Sequence, residues 1–126
     1  MNKKIINTSK APAPVGPYNQ AVMANDMLFI SGQISIIPET GKMITDDISA
    51  ETQQVMKNLN EILSEAGMTF DNVVKTSIFL NDMGNFGAVN EVYASFFNAD
   101  PPARETVAVR GLPKDVNVEI SCIAMR

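Results

Sequence analysis

Apolar residues recur at every second position from Val116 through Val118, Ile120 and Cys122 to Ala124, with Asn117, Glu119 and Ser121 between them. That alternation predicts a strand with one apolar and one polar face. A shorter run upstream has Val107 and Val109 on one side and Arg104, Thr106 and Ala108 on the other. Gly111-Leu112-Pro113-Lys114 reads as a turn between them, so the two runs are expected to pair as an antiparallel hairpin. Matching the valine faces sets Val109 opposite Val116 and Val107 opposite Val118, and it pairs Arg110 with Asp115. The same register sets Thr106 opposite Glu119 and Arg104 opposite Ser121. Arg104 and Glu119 then become diagonal neighbours on one face, roughly 7–8 Å apart.

The rest of the chain alternates between the two periods. Lys4-Ile5-Ile6 predicts a short edge strand, and three prolines between Ala11 and Pro17 require loop. Gln20–Ala24 and Met27–Ser31 predict strands joined at Asn25-Asp26, a pair suited to a tight hairpin. Gly32 marks a bulge or a close backbone approach, with extended chain on to Ile36 and a turn at Glu39–Lys42. Ser49 suits a helix N-cap, with Glu51 in the first turn to complement the dipole. Val55, Leu59, Ile62, Leu63 and Ala66 follow at helical spacing, and Gly67 suits the C-terminal cap. Val73–Leu80 predicts a central strand. A second helix carries Phe86, Val89, Tyr93, Phe96 and Phe97 on one stripe, stopped by Pro101-Pro102. The order β-β-β-α-β-α-β-β predicts an α+β fold, a mainly antiparallel sheet with both helices packed on one face.

Composition narrows the chemistry. A chain of 126 residues fits a single domain over 1–126 and buries about two-thirds of its unfolded surface. A hydrophobic fraction of 45% and a charged fraction of 19% place it among globular proteins. No apolar run reaches the length of a membrane span, and the N-terminus lacks a signal-peptide core, so a cytoplasmic location is expected. The lone Cys122 has no partner for an internal disulfide and falls on the apolar face of its strand. With no histidine, His-based triads are excluded and no zinc site is plausible. A net charge of −4 with scattered Lys and Arg argues against nucleic-acid binding.

The candidate functional residues each admit a structural reading. Arg104 is either a surface arginine bridged to Glu105 or Glu119, or a planar fork for a substrate carboxylate. Periodicity alone favours the first. Glu119 is either a solvated carboxylate or, with histidine absent, the best available base for a water. Tyr18 follows Gly16-Pro17 as a loop anchor or a pocket wall. Ser31 ends an apolar strand and ordinarily satisfies a backbone group. Asn90 lies on the second helix beside the aromatic stripe, where Phe86, Tyr93 and Phe96 are assigned to the core.

Taken together, the segments Gly16-Pro17-Tyr18-Asn19-Gln20, Ser31-Gly32-Gln33-Ile34, Val73-Val74-Lys75-Thr76, Val89-Asn90-Glu91-Val92-Tyr93, Pro102-Ala103-Arg104 and Leu112-Pro113-Lys114-Asp115 resemble the Rid, or YjgF-type, family of reactive-intermediate deaminases. The match continues through Val118-Glu119-Ile120 and runs essentially end to end. The resemblance implies a chorismate-mutase-like α+β fold and a homotrimer with clefts between subunits. It implies hydrolysis of 2-imino acids such as 2-iminobutanoate and 2-iminopropanoate to 2-oxo acids and ammonia, with no metal or organic cofactor. Carried over by position, Arg104 binds the carboxylate, Glu119 holds the attacking water, and Tyr18, Ser31 and Asn90 line the pocket. Many relatives place Ser-Cys after the arginine where this chain has Glu105-Thr106. Thr106 then offers a hydroxyl in place of the thiol, and Glu105 is expected on the opposite face. Two other readings stay open: a non-catalytic sensor of small 2-oxo or amino acids, and an RNA-acting translation inhibitor.

Overall fold

The computed structural model describes residues 2–126. Its elements are β1 (Lys3–Ile6), β2 (Ala21–Ala24), β3 (Met27–Gln33), α1 (Ile48–Glu65), β4 (Val73–Leu80), α2 (Phe86–Ala94), β5 (Ala103–Ala108) and β6 (Val118–Met125). The expected order of strands and helices is observed. The strands form one sheet in the order β1-β2-β3-β6-β4-β5, antiparallel except for the β4–β5 pair. Both helices cover one face, giving the α+β, chorismate-mutase-like architecture expected.

The β2–β3 hairpin turns at Asn25, whose φ of 54° is the left-handed conformation that asparagine tolerates. Helix α1 starts at Ile48, two residues earlier than a cap at Ser49 would set it. Asp47, not Ser49, is the N-cap, and its carboxylate accepts from the Ser49 N–H. Val55, Leu59, Ile62 and Leu63 are buried against the sheet, each contributing about 1.5–3 kcal/mol. Gly67, at φ 73°, turns the chain away. Helix α2 stops at Ala94, ahead of Phe96 and Phe97, whose rings pack edge-on against Phe70 at 5.4 Å. Phe86 is partly exposed and is not core.

The expected C-terminal hairpin does not form. β5 and β6 run in opposite directions, but β4 lies between them, parallel to β5 and antiparallel to β6. The cause is the segment before β5. Helix α2 is a crossover from β4 that returns the chain beside β4 in the same direction, occupying the place the hairpin required. β5 is therefore an edge strand, and its Val107 is 40% exposed. Arg110 falls beyond the end of β5 and does not pair with Asp115.

Glu51 is in the first turn of α1 as expected, and it also makes a long-range clasp. It is fully buried, holding the entrance to β6. One carboxylate oxygen accepts from the backbone N–H groups of Asn117 (2.7 Å) and Val118 (3.3 Å), the other from the Asn117 side-chain amide (2.7 Å). Glu51→Ala strands these donors and is expected to lower stability by about 2–4 kcal/mol in denaturant titration. An unchanged midpoint would show that the clasp contributes nothing.

Candidate active site

Strand parity decides where the candidate residues go. Arg104 pairs with Thr76 of β4, which in turn pairs with Cys122 of β6. Thr76 and Cys122 are buried, so Arg104 and Thr106 belong to the helix-covered face. Glu119 pairs with Phe79, which pairs with Val107 across β5, and this row belongs to the open face. Arg104 and Glu119 are therefore on opposite faces of the sheet within one chain. Two strand spacings across and three residues along put their backbones roughly 14 Å apart. The expected diagonal contact on one face is not present, because it followed from a register that β4 excludes.

The candidates divide into two groups. The first surrounds Arg104 at the β5 edge. Its guanidinium lies between two rings, 5.2 Å from the Tyr93 centroid and 5.5 Å from that of Phe86. The Asn90 side-chain oxygen accepts from Arg104 Nη1 at 2.7 Å. Tyr93 is held in turn by a 2.7 Å hydrogen bond between its hydroxyl and that of Thr76. Burial pushes the Tyr93 phenol above its ordinary range. A cavity of about 440 Å³ opens here, lined by Arg104, Asn90, Tyr93 and Pro102. Phe86, Asn90 and Tyr93 follow at i, i+4 and i+7, so one face of α2 makes the whole cradle. Thr106 follows on the same face as Arg104, and its hydroxyl is buried with no hydrogen-bond partner among the described residues.

The second group is on the open face. A cavity of about 410 Å³ is lined by Tyr18, Ser31, Gly32, Pro113, Lys114 and Glu119. Glu119 is half-buried, and burial raises its carboxyl above the ordinary range. Ser31 donates its hydroxyl to the Asn19 carbonyl at 2.7 Å, the ordinary role expected of it. Tyr18 is 49% exposed on a loop tied down by the buried Gln20, whose amide donates to the carbonyls of Thr8, Ala11 and Pro12. Glu105 points to this open face as expected, paired to Lys75 at 2.9 Å and accepting from Ser77. Cys122 is a buried thiol, pushed up to about 12 by desolvation.

Sequence reasoning named Tyr18, Ser31, Asn90, Arg104, Thr106 and Glu119, and missed what holds them. Tyr93 is core as expected while Phe86 is not, and both also flank Arg104, a role signalled by their helical spacing from Asn90. Pro113 and Lys114 were read only as a turn. Lys114 and Asp115 both have a φ of 56°, a conformation nothing in their residue types announces.

Residues 8–126 match the Endoribonuclease L-PSP family, and the chain belongs to it. The chain is 47% identical to Reactive Intermediate Deaminase A, chloroplastic, of Arabidopsis thaliana over 98% of its own length and 66% of that protein's. It is 45% identical to the 2-iminobutanoate/2-iminopropanoate deaminase of Mus musculus, covering 98% of this chain and 92% of the mouse protein. The fold superposes with a TM-score of 0.94 on the crystal structure of E. coli TdcF with bound serine, at 40% identity and 98% coverage of both chains. The resemblance read from the motifs is thus to the family in which the chain is found.

The raised Glu119 carboxyl has a consequence for stability. Its ionisation opposes folding, so its contribution is most favourable below the unfolded value of about 4.3 and declines as pH rises through the higher folded value. Glu119→Gln is therefore expected to melt higher than wild type at pH 8, with the difference vanishing near pH 4. A difference that is constant across this range in thermal melts would contradict the burial.

Proposed function

We propose that the protein hydrolyses reactive 2-imino acids, 2-iminobutanoate and 2-iminopropanoate among them, to 2-oxo acids and ammonia. The observation that carries this reading is the setting of Arg104. A guanidinium within cation–π range of two rings and fixed at one nitrogen by Asn90 is held in place with its remaining N–H groups available for a planar carboxylate. The mouse relative is named for this reaction, and the E. coli neighbour holds serine, a small molecule with such a carboxylate.

In this reading Arg104 anchors the substrate by its acid end and leaves the imine carbon exposed. Water adds to the carbon of the protonated imine while Glu119 takes one of its protons. Glu119 passes that proton to the nitrogen, making it an ammonium leaving group. Collapse of the tetrahedral intermediate returns the hydroxyl proton to Glu119, forms the C=O bond and expels ammonia. A protonated imine is already electrophilic, so orienting the water contributes more than activating it. A carboxyl raised by burial is also the better base near neutral pH. Thr106 offers its unpartnered hydroxyl beside the anchor, and Tyr18 and Ser31 wall the water side.

The two groups are brought together by assembly. We assign the protein a homotrimer in which the Arg104 group of one protomer meets the Glu119 group of the next. The placement of the groups on opposite faces supports this, as does the open sheet face, where Phe29 and Val107 are 42% and 40% exposed. Such apolar area calls for a covering partner. No helix among the described residues is long and apolar enough to cross a membrane. A cytoplasmic setting suits the single reduced, buried thiol. The family's description raises RNA cleavage as a second reading. The net charge of −4 and the absence of histidine weigh against it.

Arg104→Ala and Glu119→Gln are each expected to reduce imine hydrolysis at least about a hundredfold, measured as keto-acid release from imine generated in situ. Unfolding and refolding the two inactive variants together restores about a quarter of wild-type activity if each site draws one residue from each of two adjacent protomers. A mixture that stays inactive contradicts the shared site. Decay at the buffer rate with wild type present, while 2-oxobutanoate still binds, favours a sensor. RNA cleavage that survives loss of Arg104 favours the nuclease reading.

A further inference from the structure

Gly32 stands where β3 bulges against β6. Ile30 pairs with Cys122 and Gln33 with Ile120, so Ser31 and Gly32 together face the single residue Ser121. The bulge restores Gln33 to the buried side and leaves Gly32 on the open face beside Glu119. A methyl carbon at Gly32 would lie 2.4 Å from Glu119 Oε2, 2.7 Å from Cδ and 3.0 Å from Cγ. The first two approaches are closer than real carbon contacts permit, and the third is at their tight limit. The backbone itself does not demand glycine, because the positive-φ glycines are Gly41 and Gly67. The requirement is one of space.

We propose that Gly32 is a positioning residue for the hydrolytic reaction: its bare backbone is the seat on which the Glu119 carboxylate lies, and it thereby fixes where the attacking water stands. This rests on the reading of Glu119 as the water-orienting group. The contacts are to the outer part of a side chain with several rotatable bonds, so a methyl group at position 32 turns the carboxylate aside without disturbing the strand. Folding tolerates that displacement; a water that must be aimed at one carbon does not. Shortening the acid by one methylene removes the 2.4 Å approach and leaves the carboxyl carbon at the Cγ position, 3.0 Å away, with oxygens free to rotate aside, so the clash is eased. The seat therefore ties two positions together, glycine at 32 with a full-length glutamate at 119.

The test compares Gly32→Ala, Glu119→Asp and the double variant in the imine-hydrolysis assay, with a thermal melt and an NMR titration of the position-119 carboxyl for each. Gly32→Ala is expected to melt within about 5 °C of wild type. Its kcat should fall roughly tenfold to a hundredfold with KM little changed, since Arg104 holds the substrate. Its Glu119 carboxyl should titrate nearer the ordinary range as it is pushed into water. The double variant should exceed Gly32→Ala in kcat although Glu119→Asp alone falls below wild type. A wild-type Glu119 titration in Gly32→Ala, or a double variant no better than the product of the single effects, overturns the proposal. If Gly32→Ala does not fold, recovery of folding in the double variant demonstrates the same clash, and its failure to fold overturns it. Wild-type hydrolysis by Glu119→Gln would remove the catalytic reading alone, while the titration still reports on the seat.

Discussion

The position of β4 between β5 and β6 is the constraint on which the functional geometry depends. Once β5 pairs with β4 in parallel, the odd spacing between the Arg104 and Glu119 rows sends the two side chains to opposite faces. No rotamer change within one chain reverses this. Function must then arise either from one group alone or from two copies meeting. The proposed imine hydrolysis, which needs an anchor and an aimed water, favours the second.

Each half is prepared in advance for its role. Around Arg104 the order is fixed from the core outward: Thr76 holds Tyr93, the Tyr93 and Phe86 rings flank the guanidinium, and Asn90 fixes one nitrogen. Because these partners come from one helix face and one strand, the cation is in place before any ligand arrives. Around Glu119 the preparation is different. Glu51 clasps the residues that open β6, and the Gly32 bulge leaves the carboxylate room against the backbone. One half is built by cation–π contacts, the other by leaving space empty.

Local features were readable from the residues, and long-range choices were not. Asn25 announced its turn, Gly67 its cap, and Val55 to Leu63 their buried stripe, because each depends on neighbours a few positions away. Gly32 announced a close approach, though not that Glu119 was the partner. Strand adjacency depends instead on which distant strand reaches an edge first. Val107 misled for that reason: on an edge strand a valine need not face the core, so matching its face to Val118 produced a plausible but wrong register. Glu51 took its expected place in a first turn, but that place gives no hint that Asn117 buries it from sixty-six positions away. Arg104, Glu119, Tyr18, Ser31 and Asn90 stood out by residue type and position, and their proposed roles came from the family motifs, which Thr106 departs from; periodicity within one chain could not say which of them share a site.

The most direct measurement is a crystal structure of the assembled protein with 2-oxobutanoate bound. The account predicts the acid's carboxylate in paired hydrogen bonds to Arg104 of one protomer, with its keto carbon facing a water held by Glu119 of the next. A 2-oxobutanoate bound on Arg104 with no Glu119 from any protomer within reach of that carbon would contradict it.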